Sequence, residues 1–286
     1  MMRKKPMLAY PVSDKPIDYN NTVFMQPKLD GVRCLIQYER RTQPREDVVV
    51  AYSRTGKEWK NINHILEALK PFFQKNPNVI LDGELYNHAL KDNFEKIISC
   101  VRKTKPTAID RTESRKLVQF HCYDIVDETM PFVDRIHWLN KEFQRFPYGV
   151  RLVPTESVLD GRDAELYHDS CLSQGYEGSI LRLNDVYQCK RSHSLRKFKD
   201  FHDAEATIID WVEGKGKRKG TIGKFMAIDA DGNEFGMPVM DNFKKLQTMF
   251  KEMQTWVGKE ATFTYFERTK AGSYRHPLFK AIRDYE

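Results

Sequence analysis

The sequence predicts an α+β chain in two parts with a boundary near residue 200, and three observations predict it. Up to Asp200, apolar residues switch repeatedly between two-residue and helical spacing, so strands and helices interleave. Beyond Asp200 the strand-like runs are short, and a single amphipathic helix interrupts them. Finally, 286 residues, 40% hydrophobic and 12% aromatic, suffice for two cores and are too rich in aromatics for a disordered chain.

Val23 to Lys28 and Val32 to Tyr38 read as strands on either side of Asp30-Gly31, which predicts a hairpin with Val32, Cys34, Ile36 and Tyr38 on one face. Ile62, Ile65, Leu66, Leu69 and Phe73 recur at helical spacing behind Asn61 as N-cap, and Phe94, Ile97, Ile98 and Val101 repeat the pattern; both helices are expected to cover a sheet. Val79 to Tyr86, Leu117 to Val126, Val150 to Glu156 and Gly178 to Leu183 add strands, with helices over Val133 to Phe146 and Asp163 to Ser173. After Asp200 come strands at Ala204 to Val212, Thr221 to Asp229, Glu234 to Met237, Glu260 to Phe266 and Leu278 to Arg283. Phe243, Leu246, Phe250 and Met253 share a helix face behind Asp241. Five strands and one helix predict a small, partly open β-barrel of the OB kind. The expected domains are therefore 1–200 and 201–286.

With 47 Lys and Arg against 40 Asp and Glu, the net charge is +7, which favours a polyanionic partner such as nucleic acid. The steepest local excess is Gly214-Lys215-Gly216-Lys217-Arg218-Lys219-Gly220, four cations in a glycine-punctuated loop. The five cysteines include no C-x-x-C pair, which argues against a zinc clamp and for a reducing cytoplasm. The basic start is followed by a stretch too short and proline-broken for export, and the longest apolar run, Val48 to Tyr52, is far below the ~18 residues of a membrane span. A soluble, cytoplasmic, non-secreted protein is expected.

Lys28-Leu29-Asp30-Gly31-Val32-Arg33 gathers an amine, a carboxylate and a guanidinium at a strand end, a grouping suited to phosphate. Lysine is nucleophilic only when neutral, a form favoured by desolvation or neighbouring cations. Asp82 and Glu84, two apart, share a strand face as carboxylates around a metal or ribose would, and Lys197 and Lys199 share one by the same spacing. Taken singly, each pattern also fits a solvated surface.

Together these segments resemble the motifs of the small viral and phage ATP-dependent DNA ligases, within the covalent nucleotidyltransferase superfamily. Lys28 to Arg33 resembles motif I, Ser53-Arg54-Thr55-Gly56 motif Ia and Leu81 to Leu85 motif III. Phe120 to Val126 resembles motif IIIa, Tyr176 to Arg182 motif IV, Leu195 to Lys199 motif V and Arg275 to Arg283 the closing segment. The order is that of the family and the match spans Gln26 to Arg283.

The resemblance implies an adenylyltransferase domain of ATP-grasp-like antiparallel sheets with helices, followed by the OB-fold barrel. It implies sealing of 5′-phosphate/3′-hydroxyl nicks in duplex DNA through lysyl-AMP on Lys28 and a DNA-adenylate. By the same resemblance, Lys28, Arg33, Glu84, Glu177, Lys197 and Lys199 are catalytic. ATP would be contacted by Gln26, Lys28, Arg33, Arg54, Glu84, Tyr123 (Phe120 as fallback stacking ring), Lys197, Lys199 and Arg275, and Mg²⁺ or Mn²⁺ by Asp30, Glu84 and Glu177. Hinging at about Asp200 to Asp203 and action as a monomer are expected. An RNA ligase or a capping guanylyltransferase on the same scaffold is the nearest alternative, although the R-x-D-K ending of capping enzymes is missing. A non-catalytic basic DNA-binding protein is the second alternative, and it would leave the grouping of Lys28, Glu84, Glu177 and Lys199 unexplained.

Overall fold

The computed structural model describes residues 4–42, 45–145, 147–199, 202–265, 267–268 and 272–283, and the chain divides into two units, Met1–Phe198 and Lys199–Glu286. The boundary expected between 200 and 201, the first two hinge positions and the expected element ends at Phe146 and Phe266 lie outside the described residues.

The first unit runs β1 (Leu8–Pro11), β2 (Val23–Pro27), β3 (Val32–Thr42), β4 (Arg45–Tyr52), α1 (Asn63–Lys75), β5 (Ile80–Tyr86), α2 (Phe94–Val101), α3 (Ala108–Leu117), β6 (Gln119–Ile125), α4 (Phe132–Glu142), β7 (Val150–Leu152), β8 (Glu156–Val158), α5 (Gly161–Ser173), β9 (Ser179–Leu183) and β10 (Arg191–Phe198). Its strands form two mainly antiparallel sheets, β1-β10-β9-β2-β8 and β4-β3-β5-β6-β7.

This overturns the expected hairpin. β2 pairs with β8 and β9, β3 pairs with β4 and β5, and Lys28 to Gly31 crosses from one sheet to the other. The crossing is tight. A Cβ on Gly31 would stand 2.6 Å from both the Leu85 carbonyl oxygen and Glu84 Cγ, so a residue without a side chain is needed there.

In β2, an interior strand of its sheet, Val23 and Met25 join Ala164 of α5 in one cluster, while Phe24 joins the larger core on the other face. Both faces of the strand are thus buried. The larger core fills the space between the β3–β6 ladder and the helices, with Ile65, Leu69 and Phe73 from α1, Ile97 and Val101 from α2, and Ile136 and Leu139 from α4. Asn61 caps no helix; α1 starts two residues later, and the Asn61 amide donates to the carbonyls of Cys100 and Asp110. The expected strand Val150 to Glu156 is two short strands, β7 and β8, in different sheets. α3 was not expected because it is polar nearly all round and buries only Ser114; its local signal is a capping box between Thr107 and Asp110.

The second unit contains β11 (His202–Glu213), β12 (Ile222–Ile228), β13 (Glu234–Pro238), α6 (Phe243–Lys251), α7 (Met253–Trp256), β14 (Glu260–Tyr265), β15 (Glu267–Arg268), β16 (Tyr274–Arg275) and β17 (Leu278–Ile282). The five main strands order as β13-β12-β11-β14-β17 over a core of Ile208, Phe225, Met237, Leu246 and Phe263. Five strands with a helix between the third and fourth match the expected OB arrangement. The barrel was expected to be partly open, and among the described residues no ladder joins edge strands β13 and β17. Asn242, not Asp241, caps α6 by accepting from the Lys245 amide.

Candidate active site

The first unit carries a cavity of about 310 Å³ lined from both sheets. Gln26 from β2, Ile180 and Arg182 from β9, and Leu195 and Lys197 from β10 meet Arg33 from β3, Glu84 from β5 and Tyr123 from β6, with Lys28 on the crossing between the sheets. Strand register explains the grouping: Ile180 stands opposite both Gln26 and Lys197, so the three share one face.

Lys28 extends the β2–β9 pairing beyond the strand. Its amide donates to the Gly178 carbonyl at 2.9 Å, and the Glu177 amide donates to its carbonyl at 3.2 Å. That registration sets the two side chains together, and Lys28 Nζ forms an ion pair with Glu177 Oε2. Gly178 is obligatory here, with φ at +142° and only 2.3 Å between a would-be Cβ and the Phe198 carbonyl oxygen.

Arg33 donates from Nε to Asp82 Oδ1 at 2.6 Å and from Nη2 to Oδ2, and the Tyr187 hydroxyl also donates to Asp82 at 2.7 Å. Asp82 therefore holds Arg33 in place, and the two carboxylates of the Asp82 and Glu84 pair do different work. The Tyr123 hydroxyl donates to Glu84 at 3.2 Å. Burial pushes the Glu84 carboxyl up to about 7, against the opposing pull of Arg33 and Lys28. Burial, then the charges of Lys28 and Arg191, lower the pKa of Lys197.

Tyr123 reaches the cavity through a β-bulge. Asp82 stands opposite Asp124 but Gly83 stands opposite Cys122, leaving Tyr123 as the extra residue. Gly83 makes room, since a Cβ there would lie 2.5 Å from the His121 carbonyl oxygen and from the Phe120 ring. The guanidinium carbons of Arg33 and Arg182 lie 5.1 and 5.4 Å from the Tyr123 ring centre. Phe120, the fallback ring, is fully buried in the core and lines no part of the cavity.

The Gln26 amide group donates to the Tyr123 carbonyl (3.2 Å) and Thr155 Oγ1 (2.8 Å) and accepts from Arg182 Nε (2.6 Å). Both amide hydrogens are committed, so its spare capacity is as an acceptor. Arg182 is tied in turn to Asp124, which accepts from Arg135 as well. Arg182 and Arg191 are cavity residues the sequence analysis did not single out. A charged residue inside the apolar run Ile180 to Leu183 was the available signal for Arg182, since a buried charge requires a partner.

Of the other expected residues, only Arg54 also lines this cavity. Arg54, exposed in the turn after β4, lines the cavity and also a neighbouring one of about 350 Å³ to which Lys4, Lys5 and Lys190 contribute. Asp30 is not on the cavity wall, and its charge acts on Tyr86 instead. β10 ends at Phe198, so the strand face shared by Lys197 and Lys199 stops short of Lys199, which belongs to the second unit together with Arg275 on β16.

Six cations, Lys28, Arg33, Arg54, Arg182, Arg191 and Lys197, face one carboxylate, Glu84, across the lining. A cavity so composed suits a ligand bearing several negative charges, and its apolar members Leu8, Leu29, Ile180 and Leu195 with the Tyr123 ring suit a flat base. No group of three or more His, Cys, Asp and Glu side chains forms a metal cage among the described residues. Glu84 lines the cavity, and Glu177 is tied to it through its ion pair with Lys28; carboxylates are the donor type that Mg²⁺ takes when substrate phosphates and water complete its shell.

Residues 6–199 match the family model described as the ATP dependent DNA ligase domain. No curated protein matches the chain in sequence. Among solved structures, the chain is similar to one from a structure-function study of Lig E DNA ligases, titled as DNA binding with a minimal scaffold. It shares 24% identity with that protein at a TM-score of 0.77, over 99% of this chain and 100% of the other. A structure titled Pmar-Lig_PreS3 matches at 22% identity and a TM-score of 0.77, over 98% and 67% of the two chains. The ATP-dependent DNA ligase of bacteriophage T7 in complex with ATP matches at 17% identity and a TM-score of 0.54, over 98% of each chain. The structural likenesses bear on the fold, and the family model covers most of the chain including every element that lines the cavity: the chain belongs to the ATP-dependent DNA ligase family.

Proposed function

We propose that this ATP-dependent DNA ligase joins nicked duplex DNA with Lys28 as the carrier of AMP. The observation that carries this reading is the Lys28 amine, paired with Glu177 and opening onto a cavity that is cationic on six sides and acidic on one.

In the first step the Lys28 amine, after passing a proton to the Glu177 carboxylate, attacks the α-phosphorus of ATP. A P–N bond forms and pyrophosphate leaves with the electron pair of the broken P–O bond. Lys197, Arg33 and Arg182 hold phosphate oxygens as negative charge shifts onto the leaving group. Tyr123 and Ile180 flank the adenine, and the acceptor oxygen of Gln26 favours a base that offers an amino group. Glu84 and Glu177 would hold Mg²⁺, which when bound neutralises phosphate charge. In the second step a 5′-phosphate oxygen of DNA attacks the same phosphorus, and Lys28 departs once its nitrogen regains a proton. Attack of the 3′-hydroxyl on the DNA-adenylate then closes the strand and expels AMP.

Arg54, with Lys4, Lys5 and Lys190 nearby, receives the 5′-phosphate strand. Lys199 and Arg275 are assigned to the triphosphate on their motif resemblance alone. Residues 1–200 serve as the adenylation domain and 201–286 as the OB domain, and the protein works as a monomer in a reducing compartment, in keeping with its five free thiols.

Incubation with α-labelled ATP and magnesium, followed by denaturing electrophoresis and peptide mapping, tests this reading. The label is expected on Lys28 and absent, below about a thousandth of the parent level, in Lys28→Ala. Label mapped to another residue, or undiminished labelling of the variant, overturns it.

A further inference from the structure

We infer that Thr155 is a positioning residue for base selection: from behind the cavity it fixes which way the Gln26 amide faces, and so sets a preference for a purine with a 6-amino group. The inference rests on the reading above, in which this cavity takes the base of ATP. Gln26 is the polar exception in β2, whose other members Val23, Phe24, Met25 and Pro27 are apolar, and it is only 2% exposed. An amide turned end for end keeps its shape but exchanges its acceptor for its donors, so its surroundings decide which of them it offers to a ligand.

Three neighbours oppose that exchange. The Arg182 guanidinium can only donate, so Gln26 Oε1 must face its Nε, at 2.6 Å. The Tyr123 carbonyl can only accept, so Nε2 faces it, at 3.2 Å. Thr155 Oγ1 takes the shorter of the two Nε2 bonds, at 2.8 Å. A hydroxyl can serve as donor or acceptor, but the single hydrogen of Thr155 is directed at the Val153 carbonyl, at 3.3 Å, which leaves Thr155 an acceptor toward Gln26.

The backbone dictates where Thr155 stands. The Val153 amide donates to the Cys122 carbonyl at 2.8 Å, which ties the start of the β7–β8 link to β6 beside Tyr123. Pro154 then fixes its own φ, and β8 enters the other sheet with Glu156 opposite Met25. Carried one residue further, that antiparallel register sets Thr155 beside Gln26. Arg182 is braced independently: its Nη1 donates to Asp124 at 2.7 Å, and the same carboxylate accepts from buried Arg135 at 2.7 and 3.1 Å.

With both Nε2 hydrogens committed and one lone pair of Oε1 on Arg182, Gln26 keeps one lone pair to offer. The 6-amino group of adenine donates to it. The 6-carbonyl of guanine sets oxygen against oxygen, and a bare hydrogen at C6 offers nothing. Without the Thr155 hydroxyl, Nε2 retains only its longer bond, and the acceptor is held toward the base less firmly. Arg182 and Tyr123 line the cavity themselves, whereas Thr155 does not, so its influence on a bound base passes through Gln26.

The experiment measures kcat/KM for labelling of the full-length protein with α-labelled ATP and with α-labelled purine riboside triphosphate, which lacks the amino group. Thr155→Val removes the hydroxyl and is expected to lower the ratio of the two values about three- to tenfold, through a higher KM for ATP at unchanged kcat, with the analogue unaffected. Thr155→Ser keeps the hydroxyl and is expected to match the parent. In a Gln26→Leu background, which has no amide to orient, Thr155→Val is expected to change the ratio no further. A Thr155→Val ratio equal to the parent's, equal losses for ATP and the analogue, a Thr155→Ser variant as unselective as Thr155→Val, or a further fall in the Gln26→Leu background overturns the inference. A parent that takes no AMP label sinks the function proposed above instead, whereas a parent labelled at Lys28 whose selectivity ignores Thr155 sinks only this positioning role.

Discussion

Glu84 is held between a tyrosine hydroxyl and two cations, yet burial dominates and raises its carboxyl to about 7. The ordinary value of 4.5 applies in the unfolded chain, so the folded state keeps its proton over a pH range in which the unfolded state has shed it. Stability from this residue is therefore full below about pH 4.5 and is lost as pH rises through about 7. Glu84→Gln removes the loss. The ligand-free variant is expected to gain on the order of 1–3 kcal/mol relative to the parent at pH 8 and little at pH 5, as read by urea unfolding at both values. A difference independent of pH would show that the carboxyl is not held protonated. At the same scale, Lys28, Glu84 and Glu177 were recognisable in the sequence because their motifs preserve residue type and spacing. The partnership of Arg33 with Asp82 was not, because a bidentate pair depends on a diagonal reach between neighbouring strands.

Tight backbone approaches in three elements aim the site: the crossing at Gly31, the bulge at Gly83 and the left-handed Gly178. In Gly31→Ala the added methyl would meet a backbone carbonyl oxygen that cannot swing aside as a flexible side-chain end can. The expected cost is about 1–3 kcal/mol in stability, with slower AMP labelling because Lys28 is three residues away on the same crossing. A melt and a labelling rate equal to the parent's would show that the crossing has slack. The Asp30-Gly31 signal is where local reading misled. Asp-Gly marks a sharp change of direction, and the same dipeptide serves a two-strand hairpin or a step between sheets. The Tyr123 bulge was likewise invisible, since the extra residue is defined only by counting against the partner strand.

Over the whole molecule, each unit has its own main core, with smaller apolar clusters beside that of the first, and the cavity belongs to the first. Arg275, in the second unit, was proposed above to contact the triphosphate on motif resemblance alone. Arg275→Ala is expected to slow labelling of Lys28 by about tenfold or more, while sealing of a nick that already carries AMP proceeds near the parent rate; equal loss in both assays would refute a role confined to the ATP step. By itself the sequence determined the α+β class, most of the helices and strands, the change of character near residue 200 and the motif order that resembles the ligase family's. Periodicity, charge and motif order are properties of the chain taken in one dimension, and these features depend on nothing else. Tertiary structure alone decided that the motif I strand and its successor belong to different sheets, that Asp82 steadies an arginine while Glu84 faces the cavity, and that Arg182 fixes the Gln26 amide. Each of these rests on which distant strand becomes a neighbour. Strand pairing joins backbone groups common to all residues, so the choice of neighbour is made by the packing of the whole core and leaves little trace in any one segment.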